Sequence, residues 1–211
     1  MPGSAVATLC GFAAALTGAL VLDLTWRPWG RMAVGASLVA LVLWLATNDV
    51  ARRTIRGTGL PRFSAAALLL GYGWLAVGGL AWLLGALPTA IDVVAAPAPD
   101  VAYEIGVHAV FVGFAMSMIV AHAPVILPAV LRRPLPYHPV LWLPLAALHV
   151  TLAVRVLTAL VAGLGGAWSG AALATAIAVI LFVLVAAALV LTGGRRRSTT
   201  AHDPAPDRRS G

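Results

Sequence analysis

Six apolar stretches, each near the length a helix needs to cross a bilayer, constrain this 211-residue chain more than any other feature. They run Ser4 to Leu22, Met32 to Thr47, Ser64 to Leu87, Ile105 to Leu131, Val140 to Val161 and Trp168 to Thr192. A hydrocarbon core takes about 20 helical residues. None of the stretches alternates with the period of two that a barrel strand needs, and an open sheet cannot survive in lipid. The expected fold is therefore all-α, a polytopic bundle of six helices. Composition agrees: 10% of residues are charged and 61% hydrophobic, against about 25% charged in soluble domains. The second stretch is short and can borrow Asn48 to Val50. The fourth is long and carries Pro124 and Pro128, which predict a tilt or kink.

Net charge +7 superficially suggests a nucleic-acid partner, but the charge sits at the ends of apolar segments, so no nucleic acid is expected. Every basic residue is arginine, and eleven of the 14 fall on one side of the predicted bundle. Arg52, Arg53, Arg56 and Arg62 lie between spans two and three, Arg132 and Arg133 between four and five, and Arg195, Arg196, Arg197, Arg208 and Arg209 follow span six. The other side receives Arg27 and Arg31 with Asp23, Asp92, Asp100 and Glu104. Cytoplasmic loops retain positive charge, so both termini are expected in the cytoplasm, with the protein multi-pass in the inner (plasma) membrane. The first span has no basic segment before it and no small-x-small cleavage site after it, and reads as a retained helix. Residues 1–192 form one transmembrane domain in this reading. Residues 193–211 read as a disordered basic tail whose expected partner is anionic lipid headgroups. The single Cys10 rules out a disulfide scaffold within the chain.

Ionisable groups at membrane depth are expensive, and the sequence places few there. His108, His122, His149 and Arg155 fall inside predicted spans, with His138 at a boundary. In an unbroken helix the 14 residues from His108 to His122 bring both to one face, about 21 Å apart by rise. That spacing suits two stacked haems, although any two residues four turns apart share it. A hairpin symmetrical about Arg132 to Pro139 would put His122 and His149 at similar depth, where two imidazoles could hold one iron or copper. The alternative is that each imidazole bonds across a helix interface. His138, in Pro136-Tyr137-His138-Pro139, reads more simply as part of a stiff turn than as a metal ligand. Arg155 has no carboxylate within any predicted span, and Glu104 is expected well above it. Its partner is then a ligand group such as a haem propionate, or the headgroups reached by snorkelling. Gly71, Gly73, Gly78 and Gly79 are expected to admit a neighbouring helix closely, with Trp74 and Trp82 filling the space around them. Met116 and Met118 read as packing. A nucleotide-binding loop, paired catalytic carboxylates and Cys/His zinc spacing are all missing from the sequence.

The stretch His108-Ala109-Val110-Phe111-Val112-Gly113-Phe114, preceded by Gly71-Tyr72-Gly73-Trp74-Leu75, resembles the C-terminal half of the NnrS family of haem- and copper-containing bacterial membrane proteins associated with nitric oxide stress. The resemblance implies a role for His108, with His122 and Arg155 as counterparts. That family is about twice as long, and its second motif histidine is followed by Thr-Gly-Arg where this chain has Ala123-Pro124-Val125. A fainter similarity is to subunit I of haem-copper oxidases, whose adjacent His pair this chain lacks. Two functional expectations result. One is a haem b protein, with copper as a further cofactor, in which His108, His122 and His149 are ligands and the role is electron transfer or nitric oxide handling, alone as a homo-oligomer or with a membrane redox partner. The other is a non-redox carrier or assembly partner whose histidines join helices.

Overall fold

The computed structural model describes residues 3–87, 97–132 and 137–200, and six of its helices are long and apolar enough to cross a membrane. No strand occurs among the described residues. The first two spans, α1 (Gly3–Thr25) and α2 (Arg27–Asn48), meet at Trp26. Pro28 starts α2 in the first helical turn, where an amide hydrogen would have no intrahelical partner. The turn is so tight that a Cβ at Gly30 would overlap the backbone of Asp23. Arg31 closes it, pairing with Asp23 at 3.3 Å and lying over the Tyr103 ring.

A short helix, α3 (Ala51–Thr54), follows α2. Asp49 accepts the Ala51 amide on one carboxylate oxygen at 2.6 Å and the Tyr72 hydroxyl on the other at 2.8 Å. The third span, α4 (Gly59–Gly85), begins earlier than the apolar run at Ser64, because Gly59 adopts the left-handed φ of +64° and turns the chain into the helix. The fourth span is α5 (Pro99–His108), a π-helical segment (Ala109–Ala115) and α6 (Met116–Leu131). A 3₁₀ turn (Pro139–Leu141) leads into α7 (Trp142–Ala162), and Gly163 at φ +70° ends it. The last helix, α8 (Gly166–Thr200), runs past Gly193, where a disordered tail was expected. No proline interrupts the chain before Pro204, and the arginines between are good helix formers. Residues 201–211 of that expected tail lie outside the described residues.

The centre of the bundle is an interlock of α4 with the fourth span. Trp82 presses on Gly106, Val110 on Gly78, Trp74 on Gly113, and Ser117 with Met118 on Gly71. Positions 71, 74, 78 and 82 recur every three or four residues and so share one face of α4, and residues 106, 110, 113 and 117 meet that face from the partner. Large side chains on each helix meet glycines on the other. Lipid tails are as apolar as leucine, so packing of this kind, rather than expulsion of water, holds membrane helices together. On its other side α4 meets α2, where Gly79 lies against the Gly35 carbonyl. Gly73, expected to join this close approach, instead points to open space.

Pro124 and Pro128 lie inside α6, which remains helical through both. Pro124 leaves the Val120 carbonyl without its usual amide donor. Next to it, Ser64 donates its hydroxyl to the Ala121 carbonyl at 2.8 Å. The buried Ser117 hydroxyl likewise donates to the Gly113 carbonyl inside the π segment.

Gly113→Leu should cost about 1–3 kcal/mol through overpacking against Trp74, whereas Gly73→Ala, with open space at its Cβ, should cost nothing and gain up to about 1 kcal/mol of helix propensity. Unfolding in mixed micelles of rising dodecyl sulfate content measures both. Equal losses in the two variants would mean that the interlock is not what sets stability.

Candidate functional site

The polar groups buried in the bundle gather on α7 and the elements facing it. His149 and Arg155 are 9% and 6% exposed, low enough that every polar atom needs a protein or ligand partner. Trp74, seated against Gly113, donates its indole N–H to His149 Nδ1 at 2.7 Å, with the two rings within 8° of parallel. Because Nδ1 accepts, the neutral imidazole carries its proton on Nε2. That Nε2 is buried and has no hydrogen-bond partner.

Arg155 donates from Nη2 to His108 Nε2 at 2.8 Å. His108 is therefore protonated on Nδ1, which donates to the Glu104 carbonyl at 2.7 Å. The Glu104 carboxylate lies 3.5 Å from the same nitrogen. On its other face the guanidinium carbon sits 3.9 Å from the centroid of the Trp168 ring, and His108 meets that ring edge-on. Arg155 is thus clamped between an imidazole acceptor and an aromatic face, leaving its Nε buried without a partner.

This geometry corrects three expectations. Glu104 is not remote from Arg155: it is linked to it through His108, because α5 places Glu104 and His108 one helical turn apart. His122 and His149 are not at one depth. Ser64 sets the level of Ala121 and His122 near the start of α4, while Trp74 sets that of His149. Ten residues of α4 separate those levels, roughly 15 Å by helix rise. The hairpin is lopsided because α6 runs on to Leu131, with Val125, Ile126 and Val130 exposed, whereas α7 begins at Trp142 against Phe63. Finally, the arithmetic that put His108 and His122 on one face assumes an unbroken α-helix. The π segment between them adds about one residue to a turn and rotates the residues after it by about 100°.

His122 is exposed and donates from Nδ1 to the Met118 carbonyl at 2.7 Å. Its Nε2 is therefore an acceptor, and the residue lines an apolar groove of about 820 Å³ between α6 and α8, with Phe182 and Ala186 opposite. His138 accepts the Val140 amide at 3.2 Å and caps the 3₁₀ turn. Among the described residues no group of three or more His, Cys, Asp or Glu is placed to hold a metal. Sequence reasoning missed the indole donor of Trp74 and the Trp168 face. The signal was a tryptophan beside a run of glycines, which reads equally well as plain packing.

Residues 1–191 match the family model described as Domain of unknown function (DUF8744). The chain belongs to that family. No match was found among curated proteins or among solved structures. The family model spans all six apolar helices, so the polar groups of α5 and α7 lie within the shared region.

The His108–Arg155 bond should appear as a coupling energy of about 0.5–3 kcal/mol in a double-mutant cycle with His108→Ala and Arg155→Leu. Additive losses would show that the two side chains do not support each other.

Proposed function

We propose that this protein is a multi-pass carrier or partner protein of the inner membrane that binds a small anionic solute at Arg155. The observation that supports this is the guanidinium itself. It is buried, its Nε has no partner, and among the described residues no carboxylate lies within ion-pair distance of it. A buried charge without a paired opposite charge is costly. His108, a neutral acceptor, and Trp168, an aromatic face, orient the fork, and the Glu104 carboxylate acts on it only from the far side of the His108 ring, outside ion-pair distance. An anion at Nε completes the site with a charge-assisted bond. His149 Nε2 is a second buried N–H without a partner, about 9 Å along the same helix by rise and about 120° around it. His108 and His149 serve in this reading as the joints of the bundle.

Purified protein in detergent should gain thermal stability from small oxyanions or carboxylates at millimolar concentration, following mass action. Nitrite, formate and acetate are suitable probes. Arg155→Gln should abolish the gain while Arg155→Lys keeps part of it. Identical responses in wild type and Arg155→Gln would refute the site.

A second reading, haem b or copper binding with electron transfer or nitric oxide handling, has one observation in its favour. The Met118 carbonyl holds the His122 Nδ1 proton, which leaves Nε2 free towards the groove, an arrangement usual for a ligating imidazole. His108 and His149 do not fit the same role as they stand. Both nitrogens of His108 are engaged, and the free nitrogen of His149 carries its proton. Bound haem would supply redox chemistry there, with His122 as its protein ligand and the groove residues excluding water. A Soret band that shifts on reduction and is lost in His122→Ala supports this reading; a colourless folded preparation removes it.

The orientation belongs to the same proposal. Reporter fusions after Arg62 and Gly194 should both report cytoplasm, and one after Ala98 the opposite side, because the Arg-rich segments stay inside. An external signal after Arg62 would reverse the assignment.

A further inference from the structure

Where α2 ends, the chain folds back through α3 and encloses a cavity of about 480 Å³ lined by Thr47, Asn48, Asp49, Arg52, Arg53 and Arg56. It lies apart from the α7 site and its argument is independent of that reading. The three arginines are exposed, and among the described residues none pairs with a carboxylate. Asp49 lines the same cavity and its oxygens accept the Ala51 amide and the Tyr72 hydroxyl, with no arginine in ion-pair contact, so its single negative charge offsets only one of the three positive ones. Arg52 makes only a 3.5 Å contact to the Thr47 carbonyl. The cavity wall therefore carries three arginines against one aspartate, a formal excess of two positive charges with no ion pair among the described residues.

Its depth narrows the choice of anion. Eighteen residues separate Arg31, paired with Asp23 at the other end of α2, from Asp49, which is about 27 Å of helix rise. That is close to the thickness of the hydrocarbon core, about 30 Å. The Asp23–Arg31 pair and the Asp49 cavity thus stand at opposite hydrocarbon boundaries, and the cavity opens at headgroup level. Val50, itself in the cavity wall, and Leu43, one helical turn before Thr47, are 69% and 64% exposed. They offer a track for an acyl chain running into the bilayer from the cavity mouth.

We propose that this cavity is a specific site for the headgroup of an anionic phospholipid, with the phosphate held by Arg52, Arg53 and Arg56 and an acyl chain lying along Leu43 and Val50. Guanidinium forks match phosphate oxygens two at a time. Since Asp49 also anchors Tyr72 of α4, the site joins the lipid to the hinge between spans two and three. It is distinct from the non-specific attraction expected of the Arg-rich C-terminal residues.

The test is a titration of the full chain in dodecyl maltoside with phosphatidylglycerol, phosphatidylcholine or inorganic phosphate, read as the thermal midpoint. Phosphatidylglycerol should stabilise the wild type and a charge-matched control, Arg195→Gln with Arg196→Gln and Arg197→Gln. In Arg52→Gln with Arg53→Gln and Arg56→Gln the apparent affinity should fall on the order of ten- to a hundredfold, while the triple Lys variant, which keeps the charge and loses the bidentate contacts, should fall between that variant and the wild type. If the triple Gln variant does not fold, each single Arg→Gln should show a several-fold loss. Undiminished response to phosphatidylglycerol in the pocket variants overturns the proposal. So does an equal loss in the control, which would mean bulk charge alone. Stabilisation by inorganic phosphate that matches phosphatidylglycerol makes it a free-anion site and overturns the lipid assignment.

Discussion

Two tryptophans of α4 lie on two glycines of the fourth span, and the meeting of the polar groups of α5 and α7 depends on that contact. An indole seated on a glycine packs directly against the partner's backbone, in a space that any Cβ at that position would fill. Once Trp74 is seated on Gly113, its N–H reaches His149 on α7. The same packing sets the rotation of the fourth span, so that His108 turns towards Arg155. A packing interaction without any charge thus decides which polar atoms meet.

Those polar atoms are then arranged with strict economy of donors and acceptors. His149 accepts the Trp74 N–H at one nitrogen, while His108 accepts from Arg155 at Nε2 and donates its own N–H to the Glu104 carbonyl. Each imidazole stays neutral, which avoids adding a second cation beside Arg155 in a medium of low dielectric. The Trp168 face offers Arg155 further stabilisation that does not discharge it. Arg155 Nε and His149 Nε2 are left as buried donors without a partner, as is Trp82 Nε1 on α4, and a donor left so is costly.

Much of the fold could be read from local properties. The six spans follow from apolar run length, and Gly71, Gly78 and Gly79 do lie at helix contacts as their spacing in a helix suggests. Gly73 did not, since a glycine on the far side of the helix has the same local sequence signal. The π segment and the short helix α3 were not legible, because neither changes the hydropathy pattern. Within the site, His108, His149 and Arg155 were recognisable as costly groups, but their partners were not: Trp74, Glu104 and Trp168 lie on other elements or in other turns and are ordinary residues for their positions.

The sequence by itself determined that the chain is a bundle of apolar helices, because hydrocarbon thickness and the need to satisfy backbone hydrogen bonds act on each segment separately. The tertiary structure alone decided how far each helix slides past its neighbours. Axial register comes from which large side chain finds which glycine on another helix, and from how far α6 overshoots the start of α7. Symmetry of a turn does not set it. That register separates His122 from His149 and brings Arg155 to His108, so it decides which ionisable groups form a site and which only share a sequence.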